Sequence, residues 1–239
     1  MEIGYSRPGL YEMVVEMLSK IKSEGYQGVQ LKGDQYSSWL DNPDTFQKKF
    51  DIANIMGVIV YGSDEGNLKR TINFCDDLGL REITWVPSWK KGQISYTDAS
   101  KILNQFGNYA KDKNTRLSLH NHAGLLFENQ DDLREFCKLV NPNCSGLTID
   151  TAHLALGGVK DIPDVIRECK DHIYLLHIKD VKNKKFYPLG TGELDFNSIF
   201  QTIRDIGFNG WLVVDDESDQ MTLEEALPYA VKFIERYLK

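Results

Sequence analysis

Eight short apolar runs alternate with amphipathic stretches along the whole chain, and this alternation limits the fold more than any other feature. The runs are "EIGYS" (2–6), "GVQLK" (28–32), "GVIVYG" (57–62), "EITWVP" (82–87), "RLSLHNH" (116–122), "GLTID" (146–150), "IYLLHIK" (173–179) and "GWLVVD" (210–215). They are apolar almost throughout, as strands covered on both faces should be. Between them the apolar positions recur with helical spacing, as in "LYEMVVEMLSKIKSEG" (10–25), "TDASKILNQFGNYAKDK" (97–113) and "FNSIFQTIRDIG" (196–207). In "SEGYQGV", "DDLGLREI" and "RDIGFNGW" a glycine closes a helix and a strand follows within a few residues. Eight strand–helix units in 239 residues predict a (β/α)8 TIM barrel near its minimum length, in a single domain spanning 1–239. An open doubly wound sheet is the alternative. No GxGxxG follows the first strand, so a nicotinamide or other nucleotide cofactor is not expected.

Composition removes several function classes. The net charge is −7 and no strong basic run is present, which argues against nucleic acid as a partner. The densest basic stretch, "KDVKNKK" (179–185), reads as a solvated loop. No apolar run reaches membrane-spanning length, and the first residues lack the pattern of a signal peptide. Cys75, Cys137, Cys144 and Cys169 show no CxxC spacing and are expected as free thiols in a reducing cytoplasm.

In a barrel of this kind the C-terminal ends of the strands form the functional face. His120, Asn121 and His122 end the fifth strand, Asp150 the sixth, His177 and Lys179 the seventh, and Asp215 the eighth, followed by Glu217; His153 follows Asp150 by three residues. Four of the five histidines thus belong to three consecutive strand ends, and His172 opens the seventh strand at the opposite end. A mixed set of imidazoles and carboxylates suits one divalent cation, with Mn, Mg, Co and Zn all admissible. The aromatics Tyr5, Trp39, Tyr61, Trp85 and Trp89 stand near strand ends where a sugar could stack.

"LTIDTAHLALGG", "YLLHIKDVK", "PLGTGELDF" and "GFNGWLVVDDE", in that order, resemble the xylose-isomerase-like TIM barrels, the sugar phosphate isomerase/epimerase and inosose-dehydratase-like proteins related to the endonuclease IV fold. The resemblance is specific over about residues 116–217 and only architectural before that. It implies a metal held by a strand-five carboxylate, by Asp150, by His177 and by a strand-eight carboxylate. Here His120 occupies the usual place of the strand-five Glu, so Glu128 in "GLLFENQ" is the candidate, and Asp215 stands where the family has Glu, with Glu217 two residues on. The implied metal set is His120, Glu128, Asp150, His177, Asp215 and Glu217; the implied catalytic set is Glu128, Asp215 and Lys179; His122, His153, Lys179, Glu193 and Trp85 are expected to bind substrate. Lys179 could instead pair with Asp150 or Glu193. In "PLGTGELDF", Gly190 and Gly192 permit a tight turn and Asp195 caps the next helix; alternatively the loop closes over the site and brings in Glu193.

The implied activity is that of a metal-dependent isomerase, epimerase or dehydratase of a sugar or cyclitol, acting by proton transfer beside a carbonyl, in a chain that could form a homo-oligomer. The two departures from the family's ligands leave a different outcome open: a barrel that binds carbohydrate, or serves as a partner subunit, without catalysis. DNA cleavage in the manner of the endonuclease IV relatives needs three zinc ions and more ligands than five histidines supply.

Overall fold

The computed structural model describes residues 1–9 and 11–238. Eight parallel strands close one barrel. They are β1 (Glu2–Ser6), β2 (Gly28–Leu31), β3 (Ile55–Tyr61), β4 (Glu82–Val86), β5 (Arg116–His120), β6 (Ser145–Asp150), β7 (Ile173–Ile178) and β10 (Trp211–Asp215). Their order around the barrel is β1-β10-β7-β6-β5-β4-β3-β2. All eight runs expected from the sequence are strands, each within two residues of its expected ends. Gly79 and Gly207 close helices as expected, at φ of 69° and 65°, whereas the first helix ends at Lys20 and Gly25, at φ 99°, closes the turn after it; all three sit where a Cβ is disfavoured.

Alternation along each strand sorts side chains between the barrel interior and the layer under the helices. Outward residues such as Tyr5, Trp85, Leu119, Ile149 and Ile178 join one continuous apolar core with the helices. Met56, Leu175 and Val213 form a separate apolar group with Trp211. Gly28 makes room for it, since a Cβ there would lie 3.0 Å from that of Met56. Above this floor the interior turns polar. Gln30, Thr84, Ser118 and Thr148 are fully buried and bonded to one another or to sheet carbonyls.

The stretch expected as a solvated loop after β7 is instead an antiparallel hairpin, β8 (Asp180–Lys182) with β9 (Lys185–Tyr187). Asn183 and Lys184 make its two-residue turn with φ of 50° and 61°, the geometry of a type I′ turn. The loop 188–195 is then fixed by Asp180, whose carboxylate accepts from the amides of Val181, Gly190, Gly192 and Leu194. Asp195 caps the helix Phe196–Asp205, accepting from Ser198 N. Among the described residues, no helix is long and apolar enough to cross a membrane.

Candidate metal centre and pocket

Strand register brings the expected donors to one level. Asp150 pairs with His177 across β6 and β7, and Asp215 lies opposite Ser6 across β10 and β1. His120, Asp150, His177 and Asp215 are all buried, and each offers a ligand atom within 4.8 Å of the others. Asp150 and the two histidines also carry buried atoms that lack a hydrogen-bond partner: His120 Nδ1, Asp150 Oδ2 and His177 Nδ1. Unmet polar atoms in a buried cluster are costly, and Asp150 Oδ2 and His177 Nδ1, 3.9 Å apart, stand open to a common partner. Two imidazole nitrogens and two carboxylate oxygens fit a divalent cation.

Each donor is held by a second group. Asp150 caps the short helix Thr151–Leu156, with Oδ1 accepting from His153 N at 2.8 Å, which leaves Oδ2 free. Asn121, the residue between the two histidines of "HNH", brackets the Asp150 peptide: its Oδ1 accepts from Asp150 N (2.7 Å) and its Nδ2 donates to Asp150 O (3.2 Å). His120 Nε2 stands 3.4 Å from Asp150 Oδ2. His177 Nδ1 lies 3.9 Å from Asp150 Oδ2 and 3.8 Å from Asp215 Oδ2, while its Nε2 bonds Gln30 Oε1 at 2.8 Å.

Two buried lysines hold Asp215. Lys32 Nζ is 2.7 Å from Oδ1 and Lys179 Nζ is 3.0 Å from Oδ2, and both also bind Glu217 at the rim. Burial alone would raise the Asp215 pKa, but Lys179 and Lys32 outweigh it and hold the carboxyl well below its ordinary range. Burial would likewise discharge Lys32 and Lys179; the facing carboxylates keep both ammonium pKa values above the usual one. Lys179 also lies 3.8 Å from the centre of the Phe186 ring, on the hairpin.

A small pocket lies beside the cluster, lined by Ile59, Tyr61, Val86, His120, His122, His153, Asp215 and Glu217. Burial lowers the pKa of His122, and lowers those of His153 and His177 to about 3, so these three imidazoles are neutral at pH 7. Their tautomers follow from their partners. His122 Nδ1 faces the Ala123 carbonyl at 2.9 Å, so it carries the proton and Nε2 keeps a lone pair. His153 Nδ1 accepts from Ala123 N at 3.4 Å, so its Nε2 carries the proton. The two rings are 4.0 Å apart, one offering an acceptor and the other a donor.

Three expected site residues lie elsewhere. Glu128 is turned away from the cluster: its carboxylate takes the Gly124 amide at 2.7 Å and pairs with Lys91 at 3.0 Å, because the 123–129 loop folds back on itself. Trp85 is fully buried outside the barrel; it has the opposite strand parity to Thr84 and Val86, packs on Trp89 and Phe106, and donates its indole N–H to Gly62 O. Glu193 lines a separate surface cleft with Val159–Pro163, because Asp180 fixes its loop away from the pocket mouth. Glu217 reaches the rim but pairs with lysines and stands outside the four-residue cluster. Lys179 pairs with Asp215 and Glu217 rather than with Asp150 or Glu193. Of the aromatics, Tyr61 lines the pocket, whereas Tyr5 bonds Asp216 and Trp39 packs on Phe46 and Phe50. His172 bonds Val140 O, away from the site. Lys32 and Gln30 went unrecognised in the sequence, although both interrupt the apolar run "GVQLK" at alternate positions, the mark of a polar interior face.

Comparison with known proteins agrees with this architecture. Relatives include inosose dehydratases of Clostridium tetani (strain Massachusetts / E88; 30% identical over 156 residues, 57% of this chain and 52% of the relative) and of Clostridium perfringens (strain 13 / Type A; 28% identical, with the same coverage). The chain thus spans about half the length of the curated relatives it matches. Solved structures with the same fold include the IOLI protein with a bound zinc atom (TM-score 0.79, 18% identity, covering 100% of this chain and 98% of that one). They also include a D-allulose 3-epimerase from Methylomonas sp. (TM-score 0.80, 16% identity, 99% and 98% covered). The family model described as xylose isomerase-like TIM barrel matches residues 18–237, nearly the full chain. With the closed barrel and the strand-end cluster in place, that match settles the family: this chain is a xylose isomerase-like TIM barrel protein.

Proposed function

We propose that this protein is a divalent-metal-dependent enzyme that moves a proton beside the carbonyl of a sugar or cyclitol, as an isomerase, an epimerase or a dehydratase. The observation that carries this reading is the buried cluster His120–Asp150–His177–Asp215 on adjacent strand ends, in which Asp150 Oδ2 and His177 Nδ1 lack a hydrogen-bond partner. The zinc of the IOLI structure and the names of the inosose dehydratase relatives support it.

His120, Asp150, His177 and Asp215 would hold the ion. Once bound, it stabilises negative charge on a substrate oxygen and so acidifies the neighbouring C–H. The other roles belong to the pocket. His122 keeps a free Nε2 lone pair and is the proton acceptor. His153 presents its Nε2–H to a substrate oxygen. Lys32 and Lys179 are committed to Asp215 and Glu217, so they set the charge of the site and hold its carboxylates in place.

The test is deuterium exchange. Metal-saturated protein is incubated in D2O with a panel of ketoses and keto-inositols. The true substrate should take up deuterium at the carbon next to its carbonyl, and EDTA should stop the uptake. Binding without exchange or product would refute the catalytic reading and leave a carbohydrate-binding barrel.

A further inference from the structure

The polar layer inside the barrel has a direction. Ser118 Oγ contacts Ile83 O at 3.3 Å, and a carbonyl can only accept, so the serine proton is spent there. Thr148 Oγ1, 2.7 Å from Ser118 Oγ, must then donate to it. Thr84 Oγ1, 3.0 Å from Thr148 Oγ1, must donate in turn. Thr84 is left as an acceptor, and Gln30 Nε2 donates to it at 2.8 Å. That fixes the amide so that Gln30 Oε1 faces His177 Nε2 at 2.8 Å. Reversing the chain would set the lone pairs of Ser118 Oγ and Ile83 O against each other, so one orientation satisfies every contact. All five side chains are fully buried, where an unmet polar group is costly.

From this chain we infer that Gln30 is a positioning residue: the relay Ser118–Thr148–Thr84–Gln30 places the His177 proton on Nε2 and leaves Nδ1 as a bare donor facing Asp150 and Asp215. The inference rests on the metal reading for its purpose but not for its structure. Without Gln30, the nearby Asp150 and Asp215 carboxylates, 3.9 and 3.8 Å from Nδ1, would draw the proton to Nδ1, where it blocks coordination. The relay crosses from β5 through β6 and β4 to β2 before it reaches β7, so it joins five strands in one hydrogen-bond chain.

The experiment reads tautomer and metal affinity separately. In metal-free protein at pH 7.5, long-range 1H–15N spectra should show His177 with a protonated Nε2 and a bare Nδ1, the signal being assigned by its loss in His177→Gln. Gln30→Met removes both partners at similar volume. It should move His177 towards the Nδ1–H form and weaken Zn or Mn binding, measured by competition with a chromophoric chelator, by roughly 10–100-fold. Gln30→Glu restores an acceptor for Nε2–H and should restore both readouts. If Gln30→Met does not fold, Thr84→Val cuts the chain one link earlier and should shift the same tautomer. Finding Nδ1–H in the wild type, or unchanged tautomer and affinity in Gln30→Met, would overturn the relay. A wild type that shows the expected tautomer but binds no divalent ion would sink the metal reading alone.

Discussion

At the scale of single residues, the site was legible wherever a polar group ended an apolar run. Asp150, His177 and Asp215 stood out in this way, and the structure places them together with His120. Glu128 could not be placed, because contacts between loops decide the path of 123–129; Lys91, distant in sequence, claims its carboxylate. Trp85 was a parity error that its polar neighbour Thr84 could have corrected. The assignment of His122 as proton acceptor predicts that His122→Phe lowers exchange into substrate by about 10²–10⁴-fold. Metal content, measured by elemental analysis, should stay unchanged, since His122 is outside the donor cluster. A second prediction concerns acid. His153 and His177 have folded pKa values of about 3, against an ordinary 6.5. The unfolded chain therefore binds more protons below pH 6.5. The stability these residues contribute is full above pH 6.5 and is lost as pH falls towards 3. Urea unfolding of metal-free protein should show a loss of roughly 2–5 kcal/mol between pH 7 and 4.5 for the pair. His153→Asn should remove about half of it; a flat profile over that range would refute the assignment of both as buried neutral groups.

At the scale of elements, periodicity revealed the barrel strands because each is buried on both sides. The hairpin of β8 and β9 stayed hidden, since its strands are three residues long and its turn uses Asn183-Lys184 with no glycine to mark it. Its anchor is Asp180, one carboxylate receiving four amides of β8 and the following loop. The Asp of "HIKD" thus acts structurally, shaping the loop that seats Phe186 against Lys179 and His153. Asp180→Ala should cost about 1–3 kcal/mol by urea unfolding, because four amides lose a buried, charged acceptor. Hydrogen exchange should quicken at 188–194 while β1–β6 keep their protection. Uniform quickening, or none, would show that Asp180 does not organise the loop.

At the scale of the whole molecule, the count of strand–helix units carried the fold, and parallel pairing of β1 with β10 completes the circle. A ligand that draws on β5, β6, β7 and β10 at once should stabilise half the barrel together. Zn or Mn at about 100 times its Kd should add about 2.7 kcal/mol, which for a chain of this size raises Tm by roughly 5–10 °C. His177→Gln should abolish the rise, and an equal rise in that variant would place the ion elsewhere. Closure also imposes an order in time. On the ribosome β1 emerges first and must wait, one edge open, until residue 211 and its followers arrive. His120, Asp150 and His177 are made before Asp215, so a nascent chain holds three donors and lacks the fourth. A chain stalled before Trp211 would expose the unpaired edges of β1 and of the largely apolar β7 to any neighbouring strand. Translation therefore delivers the fourth residue of the cluster with the strand that seals the sheet: the cluster is completed and the open edges disappear in the same few seconds of synthesis.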